Sequence, residues 1–160
     1  MKTYNAIDIA AWFLDRAAND AAAVKDITNM KLQKLVFFAQ LVSVMTHEDA
    51  QLHSDDTHAW DYGPVVPKLY RVLKPFGGKA LSFADDAVKG AFDQRHPKKI
   101  DDEETVSLLN SVWEKFKGWS AIQLSALTHR NGSPWSVVYS RTPYAIITPE
   151  IMRKHGFGDA

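Results

Sequence analysis

The chain has 160 residues, 46% of them hydrophobic, and its 19 lysines and arginines are matched by 19 aspartates and glutamates. The charges balance locally too, nine of each sign up to Ala80 and ten of each after it. Composition therefore excludes the broad basic field of a phosphate-backbone binder and the strong acidity of a nucleic-acid mimic. With no cysteine, disulfide staples, thiolate nucleophiles and cysteine-containing metal sites are excluded, and a reducing cytoplasm is the expected compartment.

The amino-terminal stretch is broken by Asp8, Asp15 and Arg16, so it lacks the apolar run of a signal peptide or a membrane span. Its spacing predicts a helix instead. Asn5 with Asp8 supplies a cap ahead of Ile9, Ala10, Phe13, Leu14 and Ala17 at helical intervals. Thr28 opens a stronger helix. Leu32, Leu35, Val36, Ala39, Val42 and Met45 form its apolar stripe, and Lys31, Lys34 and Gln40 are expected to reach water. It is predicted to be the central helix.

The segment Leu52 to Asp61 is polar and interrupted, and reads as a loop or a short strand pair. His47, His53 and His58, among Glu48, Asp49, Asp55 and Asp56, offer ligand types for zinc or manganese. Their spacing matches neither HExxH nor another strong motif, so the reading is a solvated, charged loop with no metal and no cofactor.

The run HAWDYGPVVPKLY, His58 to Tyr70, is the least ordinary part of the chain. Trp60 and Tyr62 are expected to anchor a loop in the core, Gly63 to give it backbone freedom, and Pro64 and Pro67 to stiffen it. Pro67 also suits the first turn of a following helix with Val66, Leu69, Tyr70 and Leu73 inside, ended by Pro75, Gly77 and Gly78. From Lys79 to Lys99 the pattern is vague, fitting a mobile connection or a small irregular helix anchored by Phe83, Val88 and Phe92.

Asp101 with Glu104 predicts a capping box before Val106, Leu109, Val112, Trp113 and Phe116, with Gly118 ending that helix. Ser120 with Gln123 starts a short helix, and Ser133-Pro134 and Thr148-Pro149 start two more. The whole is a mainly α, compact single-domain helical bundle over residues 1–160, with five to seven helices and at most a small β-hairpin.

Ser125, Thr128, His129 and Ser133 lie close together and raise a nucleophile and base. The sequence lacks a glycine-flanked nucleophile turn, an orienting acid and an oxyanion hole, and a hydrolase is the lesser reading. The preferred role for Thr128 and His129 is to finish a helix, the imidazole meeting free carbonyls before Asn131-Gly132 reverses the chain. No Walker A or dinucleotide fingerprint is present. Lys25, Lys31 and Lys34 on one helix side, and Arg153, Lys154 and His155 near the end, are too few for a nucleic-acid surface.

Three stretches carry a resemblance: Thr28 to Gln40 (TNMKLQKLVFFAQ), Ala59 to Pro67 (AWDYGPVVP), and Leu124 to His129 (LSALTH) with Pro134-Trp135. In that order they resemble the signature blocks of the Panacea antitoxin-domain family. Phe37 and Phe38 stand where its members commonly carry tyrosines, which keeps ring volume and removes hydroxyls. The resemblance implies a helical, non-catalytic protein that binds and neutralises a cognate toxin, encoded by a neighbouring gene; in one branch the toxin is delivered to a bacterial protease. As polar neighbours of the stiff corner rather than residues inherited from the family, Asp61 and Lys68, with Lys31 and Lys34 on the adjoining helix, are the candidate toxin-contacting residues. Leu32, Leu35, Trp60, Tyr62, Gly63, Pro64, Pro67, Thr128, His129 and Trp135 form the structural motif. Self-association is left open.

Overall fold

The computed structural model describes residues 1–20, 26–47 and 50–159. Lys25, Glu48 and Asp49 lie outside the described residues. Among these residues the architecture is mainly α: eight α-helices, one 3-10 turn and one two-stranded antiparallel hairpin. The helices are α1 (Ala6–Ala18), α2 (Asn29–Thr46), α3 (Pro67–Leu73), α4 (Asp86–Asp93), α5 (Glu103–Phe116), α6 (Ala121–Thr128), α7 (Pro134–Arg141) and α8 (Pro149–His155). Strands β1 (His58–Trp60) and β2 (Gly63–Val65) form the hairpin, and the 3-10 turn at Lys74–Phe76 closes α3. The helix count exceeds the expected five to seven because α4 is a regular helix, capped by Asp85, within the stretch whose pattern was vague.

The caps explain most of the boundaries. Asn5 accepts from the Asp8 amide while the Asp8 carboxylate accepts from the Asn5 amide, and Ser120 and Gln123 repeat that reciprocal pair. Thr28, Ser133 and Thr148 cap α2, α7 and α8, with proline in the first turn of the last two. At α5 the cap is Asp102 rather than Asp101. Its carboxylate accepts from both the amide and the hydroxyl of Thr105, at 3.2 and 2.6 Å, and from the Tyr4 hydroxyl. The Thr105 hydroxyl and Tyr4 select the later aspartate. That helix ends at Phe116, with Lys117 as its C-cap and Gly118 beyond.

Helix α2 is the hub, packed against α1, α3, α5, α6, α8 and β2. Leu32, Leu35, Val36, Phe38 and Ala39 are fully buried on it, and Phe38 stacks between Phe116 and Phe157. Neighbours on every side leave this helix no water-facing stripe. Lys31, Lys34 and Gln40, expected at the surface, are at most 2% exposed, whereas Met45, expected on the apolar stripe, is 45% exposed at the helix end.

The buried polar side chains of α2 serve the irregular chain that crosses them. The Gln40 amide oxygen accepts from the Leu52 and His53 amides and its nitrogen donates to the His53 carbonyl. The Gln33 amide oxygen accepts from the Val66 amide at 3.0 Å. These segments lack a full ladder of their own, and a buried backbone group without a partner costs about as much as a lost hydrogen bond. His53 is fully buried beside Tyr4 and belongs to the core rather than to a solvated loop. Among the described residues no three His, Asp or Glu side chains gather as metal ligands, and no helix is long and apolar enough to cross a membrane.

Candidate functional site

The β1–β2 hairpin pairs His58 with Val65, Ala59 with Pro64 and Trp60 with Gly63, which leaves Asp61 and Tyr62 as a two-residue turn. At the tip of that turn Tyr62 is 71% exposed, not anchored in the core, and the hairpin is held from beneath by other groups. Trp60 is half-buried against Tyr70, with ring centroids 5.0 Å apart. Gly63 has φ of +118°, and a Cβ placed there would lie 2.8 Å from Lys34 Cε and 2.9 Å from Thr128 Oγ1. Glycine is required here twice over, by backbone conformation and by the close approach of two side chains.

The three motif stretches meet at this hairpin. From α2, Gln33 accepts from Val66 and the Lys34 ammonium donates to the Pro64 carbonyl at 3.4 Å. From α6, the Ser125 hydroxyl donates to the Tyr62 carbonyl at 2.9 Å. From α7, the Trp135 indole donates to the Trp60 carbonyl at 2.7 Å. The segment after α7 completes the grip. The Ala59 amide donates to the Ala145 carbonyl, the Tyr144 amide to the Ala59 carbonyl, and the Ile147 amide to the Thr57 carbonyl.

On the turn itself the Asp61 carboxylate accepts hydroxyl hydrogen bonds from Tyr139 at 2.5 Å and Tyr144 at 2.7 Å. These bonds, Tyr139 first, hold the Asp61 carboxyl below the ordinary carboxylate range, and in return Tyr139 is pushed up to about 12. Tyr144 sits at a positive φ of 69°, a conformation costing a non-glycine residue about 1–2 kcal/mol, and three hydrogen bonds keep it there, from its amide to Ala59, from its hydroxyl to Asp61 and from His58 Nδ1 to its carbonyl.

The hydroxyls near His129 are committed to the backbone. Ser125 donates to Tyr62, Thr128 to the Ser125 carbonyl, and Ser133 to the Thr128 carbonyl. The His129 ring meets no helix-end carbonyl. It stacks on Trp135 at 3.8 Å, which stacks in turn on Tyr139, and its Nε2 is buried without a hydrogen-bond partner. Burial first, and then the nearby Lys34 charge, hold this imidazole below the usual histidine range. Thr128 and His129 therefore end α6 as expected, by means of the backbone and a ring stack rather than an imidazole–carbonyl bond.

Between the start of α2, the hairpin tip and the start of α6 lies a cleft of about 580 Å³. Trp60, Val65, Tyr70 and Met30 give it apolar walls, and Asn29, Gln33 and Lys34 lie along its α2 side. At its mouth stand Tyr62, Ile122 and Tyr144, which are 71%, 77% and 52% exposed. Three polar groups on the α2 side are incompletely served. Gln33 Nε2 and Asn29 Oδ1 are buried without a partner. Lys34 is 1% exposed, and among the described residues no carboxylate lies within ion-pair distance of its nitrogen. Desolvation alone pulls the Lys34 ammonium from the ordinary 10.5 down to about 8.

Of the four candidate contact residues, Lys34 and Asp61 line this cleft and the other two do not. Lys31 is buried elsewhere, its ammonium donating to the Lys117 carbonyl at 2.7 Å. Exposed Lys68 pairs with Asp55 at 3.2 Å. Sequence reasoning missed Asn29, Gln33, Ile122 and Tyr144. The available signal was on α2, where Asn29, Gln33 and Lys34 punctuate a helix otherwise too apolar to keep any face in water.

Comparison with known proteins covers most of the elements of this site, with Asn29 and Tyr144 outside the span of the family model. Residues 32–136 match the family model "Antitoxin SocA-like, Panacea domain". A curated relative, "Antitoxin SocA" of Caulobacter vibrioides (strain NA1000 / CB15N), is 30% identical over 133 residues, covering 81% of this chain and 68% of the relative. No solved structure matches at a comparable level. The matched span contains the hairpin, most of α2, all of α6 and the first residues of α7, the elements that build the cleft, and the chain belongs to the SocA-like Panacea antitoxin-domain family.

Proposed function

We propose that this protein is an antitoxin that binds its cognate toxin directly, in the cytoplasm and without turnover of its own, and that the mouth of the cleft is the contact face. The observation that carries this reading is the position of the exposed apolar side chains. Tyr62, Ile122 and Tyr144 are among the few large hydrophobic residues left in water, and all three ring one concave site. Exposed apolar groups gathered around a pocket mark association surfaces, and aromatic anchors in such settings dominate binding energy. Tyr62 sits on a hairpin held from α2, α6 and α7 at once, which lowers the entropy lost on docking. Asp61 adds a charged rim group held in place by Tyr139 and Tyr144. Lys68, tied to Asp55, is an outlying contact in this scheme, and Lys31 has no part in it.

The test is co-expression with the adjacent coding frame. The wild-type chain is expected to relieve growth arrest caused by the neighbour and to copurify with it. Ile122→Glu, at a position 77% exposed, should fold normally and lose both properties. A folded Ile122→Glu protein that rescues growth as well as wild type removes this face from the interface.

A further inference from the structure

The incompletely served polar groups of the cleft form a pattern. Gln33 Nε2 is a buried donor, Lys34 a buried cation with no carboxylate within ion-pair distance among the described residues, the Asp61 carboxylate of the same cleft being held by Tyr139 and Tyr144, and Asn29 Oδ1 a buried acceptor. Asn29 and Gln33 are one helical turn apart on α2, on the order of 5–6 Å, and Lys34 adjoins Gln33. The cleft lies at the N-terminal end of an 18-residue helix with no acidic residue in its first turn, so the helix dipole adds positive potential where Lys34 already supplies charge. Buried polar groups are normally satisfied, and a cluster of exceptions beside an apolar cavity marks what the cavity is built to receive.

The complement of this pattern is an acceptor carrying negative charge, a donor a few ångströms away, and an apolar body between the walls of Trp60, Val65 and Tyr70. A single apolar residue at the C-terminus of a polypeptide has all three: a carboxylate, its own backbone N–H, and a side chain. An aspartate or glutamate side chain lacks the apolar body and a simple carboxylic acid lacks the N–H, while a free apolar amino acid has all three but no chain to cover the exposed rim of Tyr62, Ile122 and Tyr144.

We infer that the cleft captures the C-terminal apolar residue of a partner protein, with the terminal carboxylate accepting from Lys34 and Gln33 and the residue's amide donating to Asn29. This deepens the antitoxin reading, since the partner it has in view is the toxin. The mouth residues Tyr62, Ile122 and Tyr144 contact the chain leading to that terminus. A protein terminus is favoured over a metabolite because the apolar rim continues beyond the cavity onto the open surface.

The experiment titrates the full chain with the peptide acetyl-Gly-Ser-Gly-Leu-Phe as the free acid, with the same peptide as its C-terminal amide, and with 3-phenylpropionate, following heat of binding. The free acid is expected to bind, the amide to bind more weakly by about tenfold or more, and 3-phenylpropionate more weakly than the peptide acid. In Lys34→Met, checked for folding by thermal unfolding, the preference for acid over amide should vanish. Equal binding of acid and amide by the wild-type protein, or no binding of either at millimolar peptide, overturns the proposal without recourse to any variant. Binding of 3-phenylpropionate as tight as the peptide acid also overturns it, by making the cleft a small-molecule site. Cutting the neighbour-encoded toxin back to a terminal residue that is glycine or charged separates the two claims. Complex formation that survives this truncation unchanged refutes terminus capture and leaves the antitoxin reading standing, whereas failure of the intact toxin to bind wild type refutes that reading while the peptide result stands.

Discussion

Two lysines on adjacent turns of α2 meet different fates. Lys31 reaches the α1–α5 side, where its ammonium donates to the Lys117 carbonyl, and Lys117 in turn pairs with Asp20 and Glu114. Asp20 also accepts from the Trp113 indole at 2.8 Å and pairs with Arg16. Charges and polar atoms there answer one another. Lys34 lies on the hairpin side with one long bond to a carbonyl, beside an unpartnered Gln33 nitrogen and an unpartnered Asn29 oxygen. The same buried helix therefore has a side closed by the fold and a side left open. Incomplete satisfaction costs stability, and Ser43, His53, Thr57 and His129 carry further unpartnered buried atoms elsewhere; at this cleft it coincides with a buried cation and an apolar cavity, and that coincidence points to use rather than to packing.

The sharpest way to break the open side is Gly63→Ala. The added carbon meets Lys34 Cε and Thr128 Oγ1 inside 3 Å at a φ of +118°, so both crowding and backbone strain oppose it. A loss of about 3 kcal/mol is expected in denaturant unfolding, with the hairpin displaced from the cleft.

Next in size, and opposite in sign, is Lys34→Met. The Lys34 pKa is about 8 in the folded protein against 10.5 when unfolded, so the unfolded chain binds more protons between these values. The cost of burying the cation, roughly 3 kcal/mol, is complete below pH 8 and fades as pH rises towards 10.5. Asp61, lowered by its tyrosine hydrogen bonds, and His129, lowered by burial, do not titrate in that window. Lys34→Met should therefore unfold at higher temperature than wild type at pH 7, with the gap closing by pH 10.5. A gap that stays constant with pH would mean that Lys34 is not a buried cation.

On the closed side, Trp113→Phe keeps most of the buried ring and loses the bond to Asp20, so a decrease of about 1 kcal/mol is expected, with toxin binding unchanged.

The contrast between the two sides also shows what was legible in the sequence. Caps are local, and Asn5, Thr28, Ser120, Ser133 and Thr148 are readable because each side chain bonds the amide three residues ahead. Asp102 displaced Asp101 because Tyr4, distant in sequence, bonds it. The order of motif blocks pointed to the family, and Gly63 and Pro67 marked the corner. Lys31, Lys34 and Gln40 were misplaced because helical periodicity assumes one wet face, and a hub helix has none. Tyr62 was misplaced because residue type predicts burial only on average, and a two-residue turn projects its second side chain into water. Ile122 and Tyr144 come together only through the packing of α6 and the segment after α7 around the hairpin, which no window of sequence contains.

The most direct measurement of the central claim is hydrogen exchange on the chain, alone and in complex with the protein encoded beside it. Slowed exchange is predicted in the first turns of α2, across residues 58–66, at the start of α6 and around Tyr144, with α4 and the α1–α5 side unchanged. Protection confined to α4, α8 or the α1–α5 side, with the hairpin and the start of α2 exchanging as in the free protein, would contradict the account.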